Sequence, residues 1–163
     1  MTGTTTAAVA RLGPAPVPAW RGRLHLVAAL VAVPAGAALV AQAPTGVRAA
    51  AAVYAITQIG VFAVSATKLR RLHVVGGRAD FWYQGLGWLG ALALPWFVGG
   101  LTAADLLLLV GGGLLYTGGA VVLGRKRPDP WPLVFGYHEV GHAIMLAGSI
   151  CHYSVYLSLV QGT

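Results

Sequence analysis

Phe135-Gly-Tyr-His138-Glu139-Val-Gly-His142-Ala-Ile-Met145-Leu-Ala-Gly-Ser149-Ile-Cys151-His152-Tyr153 is the stretch that decides the fold. It is apolar enough to cross a bilayer as a helix, yet it carries three histidines and a glutamate. Ionisable groups inside such a segment are costly unless they pair, bind a metal or line a cavity. His138 and His142 stand four residues apart, on one face of a helix, the spacing that lets two imidazoles reach one divalent metal. His138, His142, Met145, Ser149 and His152 continue that face as one stripe, which is expected to turn toward the interior of a bundle.

Composition extends the membrane reading to the whole chain. Of 163 residues, 57% are hydrophobic and 9% charged, and the mean hydropathy is +0.73. The 23 glycines suit helices that approach one another closely in lipid. A single cysteine excludes an internal disulfide. Runs long enough to span about 30 Å of hydrocarbon fall at Leu24–Ala43, Ala49–Thr67, Phe81–Val98, Ala103–Leu123 and Leu133–Leu159. The expected fold is therefore all-α, a polytopic transmembrane bundle of about five helices over residues 24–159. Residues 1–23, rich in Thr, Ala and Pro, read as a disordered tail.

The eleven basic residues supply the orientation. Arg11, Arg21 and Arg23 precede the first run. Lys68, Arg70, Arg71 and Arg78 separate the second from the third, and Arg125, Lys126 and Arg127 the fourth from the fifth. Ten thus share one side and only Arg48 takes the other. The positive-inside rule places the N-terminus in the cytoplasm and the C-terminus outside. The net charge of +7 then reads as topology and attraction to anionic membrane lipids, and no nucleic-acid surface is expected. Ala41-Gln-Ala43 after an apolar run also fits a secretory cleavage site. The long polar region ahead of that run and its near-spanning length favour a retained helix.

With the fifth helix starting near Leu133, a rise of 1.5 Å per residue puts His138 roughly 8 Å and His142 roughly 14 Å along it. His152 lies about 15 Å beyond His142 along the axis, too far to share the metal of the other two, and is expected to hydrogen-bond a neighbouring helix. His138-Glu139-Val-Gly-His142 also spells H-E-x-x-H, in which the glutamate of a zincin serves as general base. Intramembrane metalloproteases need a further carboxylate in an aspartate-glycine context on a later helix. Here the motif lies on the last run, and none of Asp80, Asp105 and Asp129 precedes a glycine. Glu139 projects about 100° from His138 around the helix, which suits a hydrogen bond better than the metal.

Several stretches resemble the hemolysin III family, the bacterial branch of the progestin and adiponectin receptor superfamily. They are Gly111-Gly-Gly-Leu-Leu-Tyr116-Thr-Gly-Gly-Ala120, Lys126-Arg-Pro-Asp-Pro130, Phe135-Gly-Tyr-His138-Glu139-Val and Ala147-Gly-Ser-Ile-Cys-His152-Tyr153. Leu86-Gly-Trp-Leu89, Arg23-Leu-His25-Leu, Ala51-Ala-Val-Tyr54 and Val64-Ser65-Ala66 add to it. The family has seven transmembrane helices, so the resemblance implies a chain shortened by about two. The join falls near Ser65-Ala-Thr67-Lys68-Leu69. An even loss leaves each remaining helix in its family orientation.

The resemblance implies an intramembrane zinc held by His138 and His142. The family's third histidine stands four residues after a serine matched by Ser65, and that position is Leu69 here. The helix-three carboxylate that orients the attacking water falls in the missing segment. Candidates for a replacement ligand on the cytoplasmic side are His25, His73 and Asp80. Ser65, Glu139 and His152 are expected as structural polar residues. An intact site would imply zinc-dependent hydrolysis of a lipid amide, ceramidase-like, in a cell membrane (the bacterial inner membrane). The bacterial branch is instead named for a membrane-permeabilising, cytolytic activity. A non-catalytic truncated membrane protein and a H-E-x-x-H protease stand as alternatives, and a homo-oligomer that completes the site is left open. Gly141 replaces a bulky aromatic of the family, leaving either a gap or room for a helix to approach.

Overall fold

Inside hydrocarbon a backbone has no water to pair with, so a spanning segment must satisfy its own hydrogen bonds. The computed structural model describes residues 18–71 and 101–162, the side chains of 64–71 excepted. Its elements are four helices: α1 (Arg23–Gln42), α2 (Arg48–Arg71), α3 (Ala103–Arg125) and α4 (Tyr137–Gly162). α1, α3 and α4 are each long and apolar enough to cross a membrane, and Arg48–Ala63 of α2 is a shorter apolar helix. No strand occurs among the described residues, only an isolated bridge between Trp131 and Phe135. The fold is all-helical, with the character of a membrane bundle. The run expected at 81–98 and residues 1–17 of the expected tail lie outside the described residues.

Two helix pairs make the bundle, α1 against α2 and α3 against α4, and α1 also lies against α4. Small residues set both close approaches. Gly36 of α1 faces Ala55 of α2, whose Cβ would stand 2.9 Å from a methyl placed on the glycine. On α3 and α4, Gly112 and Gly119 face Gly148 and Gly141 so closely that a Cβ on any of them would meet the facing helix within 3 Å. Gly141 therefore makes room for α3 and leaves no gap. In lipid this close packing replaces the hydrophobic drive that helices lack there. Many large apolar side chains accordingly remain exposed, Leu30, Val53, Ile56, Leu107, Leu114 and Ile150 among them, as a lipid-facing surface requires.

The seam between α1 and α4 is parallel. Its contacts run in the same order on both helices: Arg21 with Glu139, His25 with His142, Ala35 with Tyr153 and Gln42 with Gln161. At its far end Leu39, Ala43, Ala51 and Val160 form a buried apolar cluster where α1, α2 and α4 meet.

The termini of the elements explain two departures from the sequence reading. α4 begins at Tyr137, not Leu133. Prolines at 128, 130 and 132 disfavour helix before that point. The start itself is fixed by Glu139, whose Oε2 accepts from the Gly136 N–H at 3.0 Å, and by Asp129, whose Oδ1 accepts from the Tyr137 N–H at 2.8 Å. His138 is thus the second residue of its helix, nearer the bundle end than the expected depth. The tail reaches less far than residue 23, because Ala19 and Trp20 donate backbone hydrogen bonds to the carbonyls of Leu133 and Val134. α3 opens on a reciprocal capping box between Thr102 and the buried Asp105, which satisfies two of the free N–H groups of its first turn.

Candidate functional site: a histidine cluster between the first and last helices

α4 presents His138 and His142 on adjacent turns of one face, and their rings meet edge-on with centroids 4.4 Å apart. The parallel seam brings α1 alongside at the same level. His25, in the first turn of α1, sets its ring against His142 at 4.2 Å between centroids, nearly perpendicular, with Phe62 of α2 on another side at 6.2 Å. Three imidazoles from two helices therefore form a row through His142 near the end of the bundle where α1 and α4 begin. Of the three side chains expected as replacement ligands, His25 joins the pair, while His73 and Asp80 lie outside the described residues.

The polar atoms of this cluster are unevenly served. Neither Nδ1 nor Nε2 of His25 is exposed, and neither has a hydrogen-bond partner among the described residues. A neutral imidazole offers one donor and one acceptor. A buried group left unpaired costs on the order of 1–3 kcal/mol. His138 sits differently, with its Nδ1 3.6 Å from Glu139 Oε1. Glu139 is almost wholly buried, at 2% exposure. Its Oε1 accepts from Arg21 Nε at 3.2 Å while Oε2 caps α4. The carboxylate thus ties three things together: the segment before α1, the start of α4 and the edge of His138.

These residues were tested against a zinc ion on their own chemistry. Among the described residues no three His, Cys, Asp or Glu side chains are already disposed as a metal cage. Rings bound tetrahedrally through bonds of 2.0–2.1 Å would have centroids about 5 Å apart. The observed 4.2 and 4.4 Å are tighter, so the rings would have to spread by roughly an ångström on binding. The donor set nevertheless fits. Imidazole nitrogen suits zinc, the unpaired nitrogens of His25 lack any other partner, and a carboxylate beside the first histidine is the usual outer partner of a metal-bound imidazole.

The rest of the stripe is engaged in holding α3 to α4. Met145 lies over Gly119, Ser149 is hydrogen-bonded to Tyr116, and His152 Nε2 lies 3.2 Å from the Leu109 carbonyl while its ring stacks on Tyr116. Ser65 lies in α2, and its side chain is outside those described. Arg21 and Asp129 were missed as members of this neighbourhood. Arg21 reads as a topogenic charge from sequence, although a buried glutamate needs a cation to pair with, and that need was the available signal. Asp129 and Glu139 flank Gly136 in the manner of helix-capping carboxylates.

Helical membrane proteins with histidines gathered inside the bundle form the class to which this geometry belongs. Residues 78–153 match the family model described as haemolysin-III related, so over that stretch the chain is similar to that family. The match includes His138, Glu139 and His142; His25 lies ahead of it. No solved structure matches the chain.

Proposed function

We propose that this chain is a zinc-binding, multi-pass protein of a bacterial inner membrane, of the hemolysin III type, which hydrolyses an amide bond in a lipid. The observation that carries the reading is the pairing of His138 and His142 on one buried face of α4, ring to ring at 4.4 Å. Bound there, zinc would supply an electrophile that polarises an amide carbonyl and lowers the pKa of an attacking water. The chain's own residues do the rest. Glu139 holds the start of α4 and the Nδ1 edge of His138. Arg21 neutralises that carboxylate. α1 and α2 close the histidines off on their own side. A lipid substrate would reach them from the surrounding bilayer rather than from water.

The H-E-x-x-H protease reading is disfavoured by the state of Glu139. Both of its oxygens are committed, one to Arg21 and one to the helix N-terminus, so it is poorly placed to serve as a free general base. The test is elemental analysis of the detergent-purified chain, followed by reconstitution with a defined ceramide. Near-stoichiometric zinc and zinc-dependent fatty-acid release are expected, both lost in His138→Ala/His142→Ala. A wild-type chain free of zinc after purification and zinc addition would refute the reading. Dye release from vesicles without amide cleavage would move the protein to the membrane-permeabilising class.

A further inference from the structure

His25 makes the largest unmet demand of any side chain described. Both of its ring nitrogens are buried without a partner, and its neighbours offer little to satisfy them. Phe62 has no polar atom, and His142 meets it edge-on. If packing were its purpose, a phenylalanine would fill the same space with nothing left unpaired. The backbone that carries the ring is anchored on either side of it. Arg21–Glu139 ties the segment before α1 to α4 one turn before it, and the Tyr153 hydroxyl donates to the Ala35 carbonyl at 2.9 Å further along the same seam.

We propose that His25 is the third protein ligand of the zinc centre, so that α1 supplies the imidazole the family takes from its second helix. This rests on the reading of His138 and His142 as zinc ligands. Three neutral imidazoles make a ligand set that leaves a fourth position open, as catalytic zinc sites do. Glu139, paired with Arg21, lies beside His138 at the edge of such a set. Ligation gives one His25 nitrogen a partner and draws the ring away from its tight contact with His142. It also explains how a chain with Leu69 at the family's third-ligand position keeps a usable site.

Cobalt(II) titration of the full chain in detergent tests the assignment, with zinc displacement to give the relative affinities. His25→Ala is expected to weaken metal binding by more than about 100-fold, beyond the 10–100-fold typical of outer-shell partners. His25→Cys gives a gain of signal: a sulfur-to-cobalt charge-transfer band in the near ultraviolet, missing in the wild type, whose only cysteine is Cys151. His25→Phe, of similar volume, serves as the folding control by its melting temperature. Binding by His25→Ala within a few-fold of wild type, with no band from His25→Cys, overturns the assignment and leaves the zinc pair standing. Metal retained by His138→Ala/His142→Ala, or no metal bound by the wild type, removes the underlying reading and this assignment with it.

Discussion

Gly119→Ala probes the contact on which the position of α4 depends. A methyl on Gly119 would lie 2.6 Å from the Gly141 carbonyl oxygen and 2.6 Å from Met145 Cγ. The methionine can swing aside, but the carbonyl belongs to the helix and cannot. The deficit from ordinary van der Waals contact is roughly 0.8 Å, so α3 and α4 must separate or tilt. Forced overpacking of this kind costs about 1–3 kcal/mol. The gain in helix propensity from Gly to Ala offsets up to about 1 kcal/mol of that. Gly113→Ala is the matched control on the same helix, because nothing among the described residues lies within 4 Å of a Cβ placed there; it should be neutral or stabilised by up to about 1 kcal/mol. Cys151, the only cysteine, sits in α4, so a thiol-reactive fluorophore reports unfolding in detergent without further labelling. Gly119→Ala should melt below wild type and Gly113→Ala at or above it. Because Gly141 adjoins His142, metal affinity should fall in the first variant alone. Equal melting of the two variants would refute the described α3–α4 approach.

Glu139→Ala strands Arg21 and the Gly136 N–H together, and removing one member of a buried pair costs about 3–5 kcal/mol. Glu139→Gln keeps the shape and an acceptor and should melt closer to wild type while retaining zinc; a Gln variant with normal stability but no zinc would make the carboxylate a ligand instead. Tyr153→Phe removes the hydroxyl that donates to Ala35 and should cost about 0.6 kcal/mol, up to about 1.7, as interhelical hydrogen bonds in membranes do; an unchanged melting curve would argue against the α1–α4 seam. His25→Phe should reverse sign with metal. Without zinc it relieves two buried unpaired nitrogens and should stabilise by about 1–3 kcal/mol, whereas in saturating zinc the wild type should gain stability that the variant lacks. A variant less stable than wild type under metal-free conditions would show that the imidazole has a polar partner.

Hydropathy made the helices legible because lipid punishes any other backbone, and the i, i+4 spacing made the histidine pair legible for the same local reason. What sequence could not give is anything that depends on which helices lie side by side. The start of α4 was placed too early because Leu133 and Val134 are apolar. Whether that segment is helix is decided by prolines and by the capping of Gly136 and Tyr137, not by hydropathy. Arg21 was read as a charge that sets orientation, since its partner lies 118 residues away. Gly141 was ambiguous alone; the answer needed Gly119 and Leu123 across the seam. That His25 stands beside His142 depends on the register of α1 against α4, which hydropathy does not reveal.

That register follows from a parity. α2 runs antiparallel to α1, α3 antiparallel to α4, and α1 parallel to α4, so α2 ends and α3 begins at opposite ends of the bundle. An odd number of passages between them satisfies this, which is what the run expected at 81–98 would contribute, although it lies outside the described residues. An even number of passages between α2 and α3 would invert α1 relative to α4. Inverted, the first turn of α1 would face the far end of α4, and His25 would lie a bundle length from His142. The cluster therefore depends on α1 and α4 running the same way through the bundle.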